Sequence, residues 1–204
     1  MPARSYAAVV KPGSTSFVIR PIRPGEYKAL GELTVAAYHA LGHTMSHQDS
    51  YDRQLRDVAR RDAVSCVLVA VDADGEVLGG VTYVRGPDDP YSEQLAGDEA
   101  GIRMLAVDPA LQGRGAGRAL TLACLDRART QGRRWLVLHT GAWMVAAIRL
   151  YESLGFERDP GLDYVPAPGV HLIAYSFDLT AEALGGTSVR PLGSGRERGS
   201  VPDH

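Results

Sequence analysis

Two periods alternate along this chain, about two residues in some stretches and about 3.6 in others, and they lay out its elements. Phe17-Val18-Ile19-Arg20 reads as a short strand that Pro21 closes. Pro24-Gly25-Glu26 opens a helix in which Tyr27, Leu30, Leu33 with Thr34, Ala37 and Leu41 recur at helical spacing, and Gly42 breaks it. A polar connector, His43 to Ser50, leads to a second helix from Tyr51 to Arg61. Cys66 to Val71 is apolar throughout, as in a strand covered on both faces. Asp72-Ala73-Asp74-Gly75 is a hairpin turn, and Glu76 to Arg85 returns as the next strand. After a loop from Gly86 to Gly97, Ile102 to Val107 forms a central strand that Asp108-Pro109 ends.

The second half continues the alternation. Ala116, Ala119, Leu120, Ala123 and Cys124 stripe one face of a long helix that Gly132 terminates. Arg134 to His139 is a strand, and Ala142 to Ser153 is a helix with Met144, Ala147, Ile148 and Tyr151 on one stripe. Leu154-Gly155-Phe156 turns out of it, and Val170 to Phe177 closes the series as a strand. The order β-α-α-β-β-β-α-β-α-β-β predicts one α+β domain over residues 17–180, with a mixed, mostly antiparallel central sheet flanked by helices on both faces. Residues 1–16 read as a flexible arm and residues 181–204, rich in Gly, Ser, Arg and Pro, as a disordered tail.

The loop between the central strand and the long helix carries the candidate chemistry. Gln112-Gly113-Arg114-Gly115-Ala116-Gly117 brings the backbone close to a ligand and turns N–H groups outward at a helix start, where anions are favoured. Arg114 and Arg118 add positive charge. No Lys-Ser or Lys-Thr follows, so this is not a nucleotide-triphosphate loop, and alternate glycines fit a dinucleotide fingerprint poorly. A plain strand-to-helix turn remains open on the glycines alone.

Composition narrows the class. The 204 residues are 45% hydrophobic and 23% charged with a net charge of −2, so neither nucleic acid nor an anionic membrane is an expected partner. Cys66 and Cys124 both fall in apolar patterns and are expected to be buried free thiols. No signal-peptide core and no spanning run is apparent, which makes the cytoplasm the expected location.

Two elements together give a more specific reading. Gln-x-x-Gly-x-Gly/Ala directly after Leu-Ala-Val-Asp-Pro resembles the acyl-CoA motif of the GCN5-related N-acetyltransferases. Downstream, Ala147-Ile148-Arg149-Leu150-Tyr151-Glu152-Ser153-Leu154-Gly155-Phe156 resembles a second element of that family, in the right order and with a strand between. The resemblance implies acetyl-CoA as co-substrate, no metal, and direct transfer to the amine of a small molecule or peptide, with a homodimer left open. It implies that the pyrophosphate meets the amides of Gln112, Gly113, Arg114, Gly115, Ala116, Gly117 and Arg118. The pantetheine arm would lie along Leu105, Ala106 and Val107, in a gap where the central strand splays from the next. An N–H near Ala106 or Val107 would polarise the thioester carbonyl. Tyr151 holds the family position of the acid that protonates the leaving thiolate, although an aromatic on an apolar stripe also suits a core.

Departures from the family pattern matter. Where some members carry a basic glutamate, this chain has Gly101; Glu99, two residues upstream, could act through water or be a solvated strand-start carboxylate. His139, at the mouth of the expected gap, could remove a proton or cap a backbone group. Met144 replaces the family's common asparagine and leaves an apolar cofactor contact. His39, His43 and His47 recur every four residues, but Gly42 and the lack of accompanying acids argue against a metal site. Asp88, Asp89, Glu93, Asp98 and Glu99 could draw a cationic amine to an acceptor site built from the first-helix connector and the Gly86–Gly97 loop, or simply face solvent. A non-catalytic acyl-CoA sensor of the same fold is the alternative function, and a dinucleotide oxidoreductase a more distant one.

Overall fold

A computed structural model describes residues 6–7, 16–41 and 48–180 of the chain. The expected arm (1–16) and tail (181–204) fall almost entirely outside these residues, as do His43 and His47.

Among the described residues nine strands form one sheet. They are β1 (Tyr6–Ala7), β2 (Phe17–Pro21), β3 (Cys66–Asp72), β4 (Val77–Val84), β5 (Glu99–Val107), β6 (Trp135–Gly141), β7 (Glu157–Arg158), β8 (Tyr164–Ala167) and β9 (Val170–Asp178). Their order is β1-β2-β3-β4-β5-β6-β9-β7, with β8 paired to β9. Every pairing is antiparallel except β5 with β6. The helices are α1 (Tyr27–His39), α2 (Gln48–Arg56), α3 (Val58–Val64), α4 (Ala116–Thr130) and α5 (Val145–Ser153). The α+β architecture expected from the hydrophobic pattern is the one observed.

The sheet is covered on both faces, which explains why β3 reads as continuously apolar. Leu68 and Ala70 face the α4 side with Leu120, Ala123 and Cys124. Val67, Val69 and Val71 face the other side with Leu30 of α1 and Val58 of α3. Of the predicted α4 stripe, Ala116, Leu120, Ala123 and Cys124 are all at most 4% exposed, and Ala119 is half-buried against the same core. Cys124 is a buried free thiol, whereas Cys66 is only half-buried.

Element boundaries departed from expectation where side-chain chemistry overrode periodicity. The helix expected over Tyr51–Arg61 is two helices, because Asp57 leaves the helical region and its side chain accepts the Arg60 N–H at 3.1 Å, capping α3. The helix expected from Ala142 starts at Val145, after a turn at Gly141–Met144. β5 begins at Glu99, three residues before the apolar run, because parallel pairing to Trp135 and Leu136 fixes it there. Strands β7 and β8 had no distinguishable pattern in the sequence.

Candidate active site

β5 and β6 run side by side only from Glu99↔Trp135 to Ile102↔Leu138. Beyond that point β5 continues with β4 as partner and β6 continues with β9, so the two strands diverge. At the divergence the β4–β5 ladder slips: Thr82 pairs with Arg103 but Gly80 with Ala106, so three steps on β5 match two on β4. The extra residue is a bulge, and Met104 there has φ +51°. A bulge turns the local peptide out of the ladder, here into the opening V. The re-aimed backbone is thus at Met104–Leu105, just before the Ala106–Val107 pair that the sequence suggested.

The glycine loop lies at the far end of β5. Gly113 and Gly115 have φ +78° and +91°, left-handed conformations that glycine adopts without steric cost. Gly115 is the N-cap of α4 and no side chain caps the helix start, so the first-turn N–H groups have no intrahelical acceptor. Residues 112–115 are exposed, which leaves the positive end of the helix open to an anion. Arg118 Nη1 donates to Ser153 Oγ at 3.4 Å and ties this end of α4 to α5.

A cavity of about 560 Å³ sits in the V. Ile102, Arg103, Met104 and Leu105 of β5 form one wall, and His139, Thr140 and Gly141 of β6 the other. Met144, Ala147 and Tyr151, with Tyr38, Tyr51, Glu93 and Tyr164, add to the lining. Trp143 folds over Gly141, where any side chain would meet its ring at about 2.4 Å. Met144 Sδ accepts from Thr140 Oγ1 at 3.4 Å, so the residue in place of the family asparagine is held by its own strand.

Tyr151 is 5% exposed, packs against Phe156 with ring centroids 5.8 Å apart, and lines the cavity. Burial, with smaller contributions from Tyr38 and Cys124, raises its hydroxyl well above the ordinary tyrosine value, so it holds its proton. Tyr151 is therefore both a core aromatic and a protonated group on the cavity wall.

The two expected proton acceptors are placed differently. Glu99 is fully buried, accepts the Ala96 N–H at 2.8 Å, and is not part of the cavity wall. Gly101 separates it from Arg103 on the same strand face, and Leu95 covers that glycine at 3.1 Å from where a Cβ would stand. Leu95 thus packs over the strand between Glu99 and Arg103. His139 does reach the cavity, but both of its nitrogens are engaged. Nε2–H donates to Leu162 O at 2.9 Å, which leaves Nδ1 to accept from Arg103 Nη1 at 3.2 Å. Burial, then the adjacent guanidinium, lowers its pKa below the ordinary histidine value and keeps the ring neutral.

The acceptor side adds Arg103, Tyr164, Tyr38 and Tyr51, which sequence patterns did not single out, to His139 and Glu93. Arg103 is 8% exposed and bridges Nδ1 of His139 to Glu93, whose Oε2 lies 3.0 Å from Arg103 Nη2. The Tyr164 hydroxyl donates to the same Glu93 oxygen, and the Tyr164 ring meets His139 edge-on at 4.8 Å. The Tyr38 and Tyr51 hydroxyls hydrogen-bond one another, with their rings 5.9 Å apart. Of the five acids noted between Asp88 and Glu99, Glu93 alone lines the cavity. Asp89 instead braces the loop, accepting from Ser65 Oγ at 2.6 Å and Tyr91 N at 3.0 Å. His39 pairs with Asp52 at 2.9 Å. No group of three or more metal-ligating residues occurs among the described residues, and no helix among them is long and apolar enough to cross a membrane.

Comparison with known proteins agrees with this geometry. Residues 29–156 match the acetyltransferase (GNAT) family. A mycothiol acetyltransferase from Sanguibacter keddieii is 34% identical over 164 residues, 77% of this chain and 48% of that protein. One from Cellulomonas flavigena is 39% identical over 92 residues, 45% of this chain and 26% of that protein. The chain thus spans about half or less of the curated relatives it matches. Among solved structures, a GNAT-family acetyltransferase from Staphylococcus aureus superposes with a TM-score of 0.63 at 14% identity, covering 80% of this chain and 99% of that one. A GNAT-family acetyltransferase from Brucella melitensis, in complex with acetyl-CoA, superposes at 0.54 with 22% identity, covering 80% and 88%.

Proposed function

The chain belongs to the acetyltransferase (GNAT) family, and from that membership we propose that it transfers an acetyl group from acetyl-CoA to a primary amine by direct attack. One observation carries the reading: β5 and β6 part after Ile102 and Leu138, with a bulged backbone at Met104 beside the opening and an uncapped helix start at its far end. Unpaired strand edge, re-aimed peptide and helix terminus supply, in order along β5, donors suited to an extended amide-bearing arm, a carbonyl oxygen and a pair of phosphates.

Acetyl-CoA supplies the activated acyl group as a thioester, and this chain's residues bind and orient it. Amides from Gly113 to Arg118 hold the pyrophosphate, with the Arg114 and Arg118 side chains adding charge. The β5 edge over Leu105, Ala106 and Val107 pairs with the pantetheine amides. The turned peptide at Met104–Leu105 polarises the reacting carbonyl, and Tyr151 gives its proton to the departing sulfur. Met144 contributes apolar contact. Small-molecule amines are the first acceptors to assay, beginning with the acceptor of the mycothiol acetyltransferases.

Titration calorimetry with acetyl-CoA, followed by CoA release across an amine panel, tests the proposal. Binding with transfer supports it; absence of heat at millimolar acetyl-CoA ends it. The burial of Glu99 and the engagement of His139 Nδ1 by Arg103 favour one competing reading, a non-catalytic acyl-CoA sensor. Tight binding without transfer to any amine selects that reading.

A further inference from the structure

Amines arrive at neutral pH largely as ammonium ions, and an ammonium has no lone pair with which to attack. Some group in the cavity therefore has to take a proton. The tyrosines of the wall, Tyr38, Tyr51, Tyr151 and Tyr164, all have their pKa values raised, chiefly by burial, and stay protonated. Arg103 is a cation, and His139 already uses its one acceptor nitrogen. Among the described residues, Glu93 is the remaining titratable group in the lining.

Two further features set Glu93 apart. It and Met104 are the two non-glycine residues with positive φ among the described residues, both at +51°, and both line the cavity. Such strain in a side-chain-bearing residue persists only where the surrounding structure enforces it, and it gathers at functional sites. Met104 uses it to turn a backbone peptide into the V, and Glu93 to turn a carboxylate into the same space. Second, the Arg103 and Tyr164 contacts both hold one oxygen, Oε2. Oε1 has no hydrogen-bond partner among the described residues and can meet an incoming N–H donor, on a side chain 42% exposed and so in contact with bulk water.

We propose that Glu93 is the proton acceptor for the amine, an assignment that rests on the acetyl-transfer reading above. The ammonium gives one proton to Glu93 Oε1, and Glu93 passes it to water. The freed lone pair forms the carbon–nitrogen bond while the carbon–sulfur bond breaks. The sulfur leaves with the electron pair and takes the Tyr151 proton, and the second nitrogen proton returns to Tyr151 through water. Among the described residues, the groups facing Glu93 are Arg103 from β5, His139 from β6, Tyr164 from β8, Tyr51 from α2 and Tyr38 from α1. Arg103 is the one permanent charge among them and holds the carboxylate in place.

The test compares wild type with Glu93→Gln, using phenethylamine, phenylalaninamide, glucosamine and spermidine as acceptors and hydroxylamine, already neutral at pH 7, as control. For the amine that wild type acetylates fastest, the variant should lose about 100- to 10,000-fold in kcat/KM at pH 7. That loss should shrink about tenfold per pH unit as the amine deprotonates by itself. Hydroxylamine acetylation should fall far less than amine acetylation, the acetyl-CoA Kd should change little, and Glu93→Asp should recover part of the activity. Undiminished transfer in Glu93→Gln overturns the assignment, and so does a loss equal at pH 7 and pH 9 or equal for hydroxylamine. Wild-type binding of acetyl-CoA with no acetylation of any of these amines overturns it in favour of a binding-only site. Failure to bind acetyl-CoA is a separate result and removes the acetyl-transfer reading itself.

Discussion

The two ends of the cavity are built from different materials. The end assigned to acetyl-CoA is mostly backbone: the free edge of β5, the peptide at Met104, and the amides of residues 113–118. It comes from one continuous stretch of about fifteen residues, and its function depends on conformation more than on side-chain identity. The acceptor end is mostly side chains, and they come from five places: Tyr38 of α1, Tyr51 of α2, Glu93 of a loop, Arg103 and His139 at the strand divergence, and Tyr164 of β8. A backbone site tolerates sequence drift while keeping one ligand. A side-chain site can be rebuilt for a new amine by changing a few contacts. One cofactor with many acceptors is the outcome expected of such a division.

The contrast can be broken most sharply at Tyr151, which sits between the two ends. Tyr151→Phe removes only a hydroxyl that makes no hydrogen bond to another described residue, so fold and acetyl-CoA Kd should hold while kcat falls about 100-fold or more. Equal turnover in the two proteins would assign Tyr151 to packing. Next in size is Gly115→Glu at the cofactor end. Its φ of +91° makes any side chain strained, and the carboxylate would oppose an anion at the helix start. Together these should weaken acetyl-CoA by about 2–3 kcal/mol, read by calorimetry. Unchanged affinity would contradict the phosphate assignment.

A smaller effect should appear at the acceptor end as pH changes. Burial and Arg103 hold the folded-state pKa of His139 below its unfolded value near 6.5, so the unfolded chain binds the proton more readily. The stabilisation linked to neutral His139 is complete above about pH 6.5 and is lost as pH falls through the lower folded value. Melting temperatures should therefore decline below pH 6.5, and His139→Gln should flatten that part of the curve. Glu26 and Asp163, whose pKa values are lowered, act in a separate window below about pH 4.5. The smallest expected effect is Arg118→Ala. An exposed contact to Ser153 at 3.4 Å should cost under about 1 kcal/mol of stability, with a modest, salt-sensitive loss of acetyl-CoA affinity.

The same contrast explains which parts were legible in advance. The stripe on α4 and the continuous apolar run of β3 follow from periods of 3.6 and from two-sided burial, and both were found where expected. The glycine turn carried its signal in consecutive residues. Arg103 and Tyr164 carried none, because Arg103 interrupts an apolar strand and Tyr164 lies in a short strand beside β9; Glu93 was visible only as one acid in a cluster of five. Glu99 and His139 were chosen for chemical type and strand position, but Leu95 packs over the strand beside one and Arg103 occupies the acceptor atom of the other.

Local sequence thus determined what local forces set: where helices and strands form, which face of each is apolar, and that a glycine turn opens α4. Tertiary structure decided what depends on segments meeting: the point where β5 leaves β6, the bulge at Met104, and the meeting of Glu93, Arg103, His139 and Tyr164. The reason is physical. Periodicity is fixed by backbone geometry within a few residues, whereas a side chain's protonation and reach depend on neighbours brought from tens of residues away.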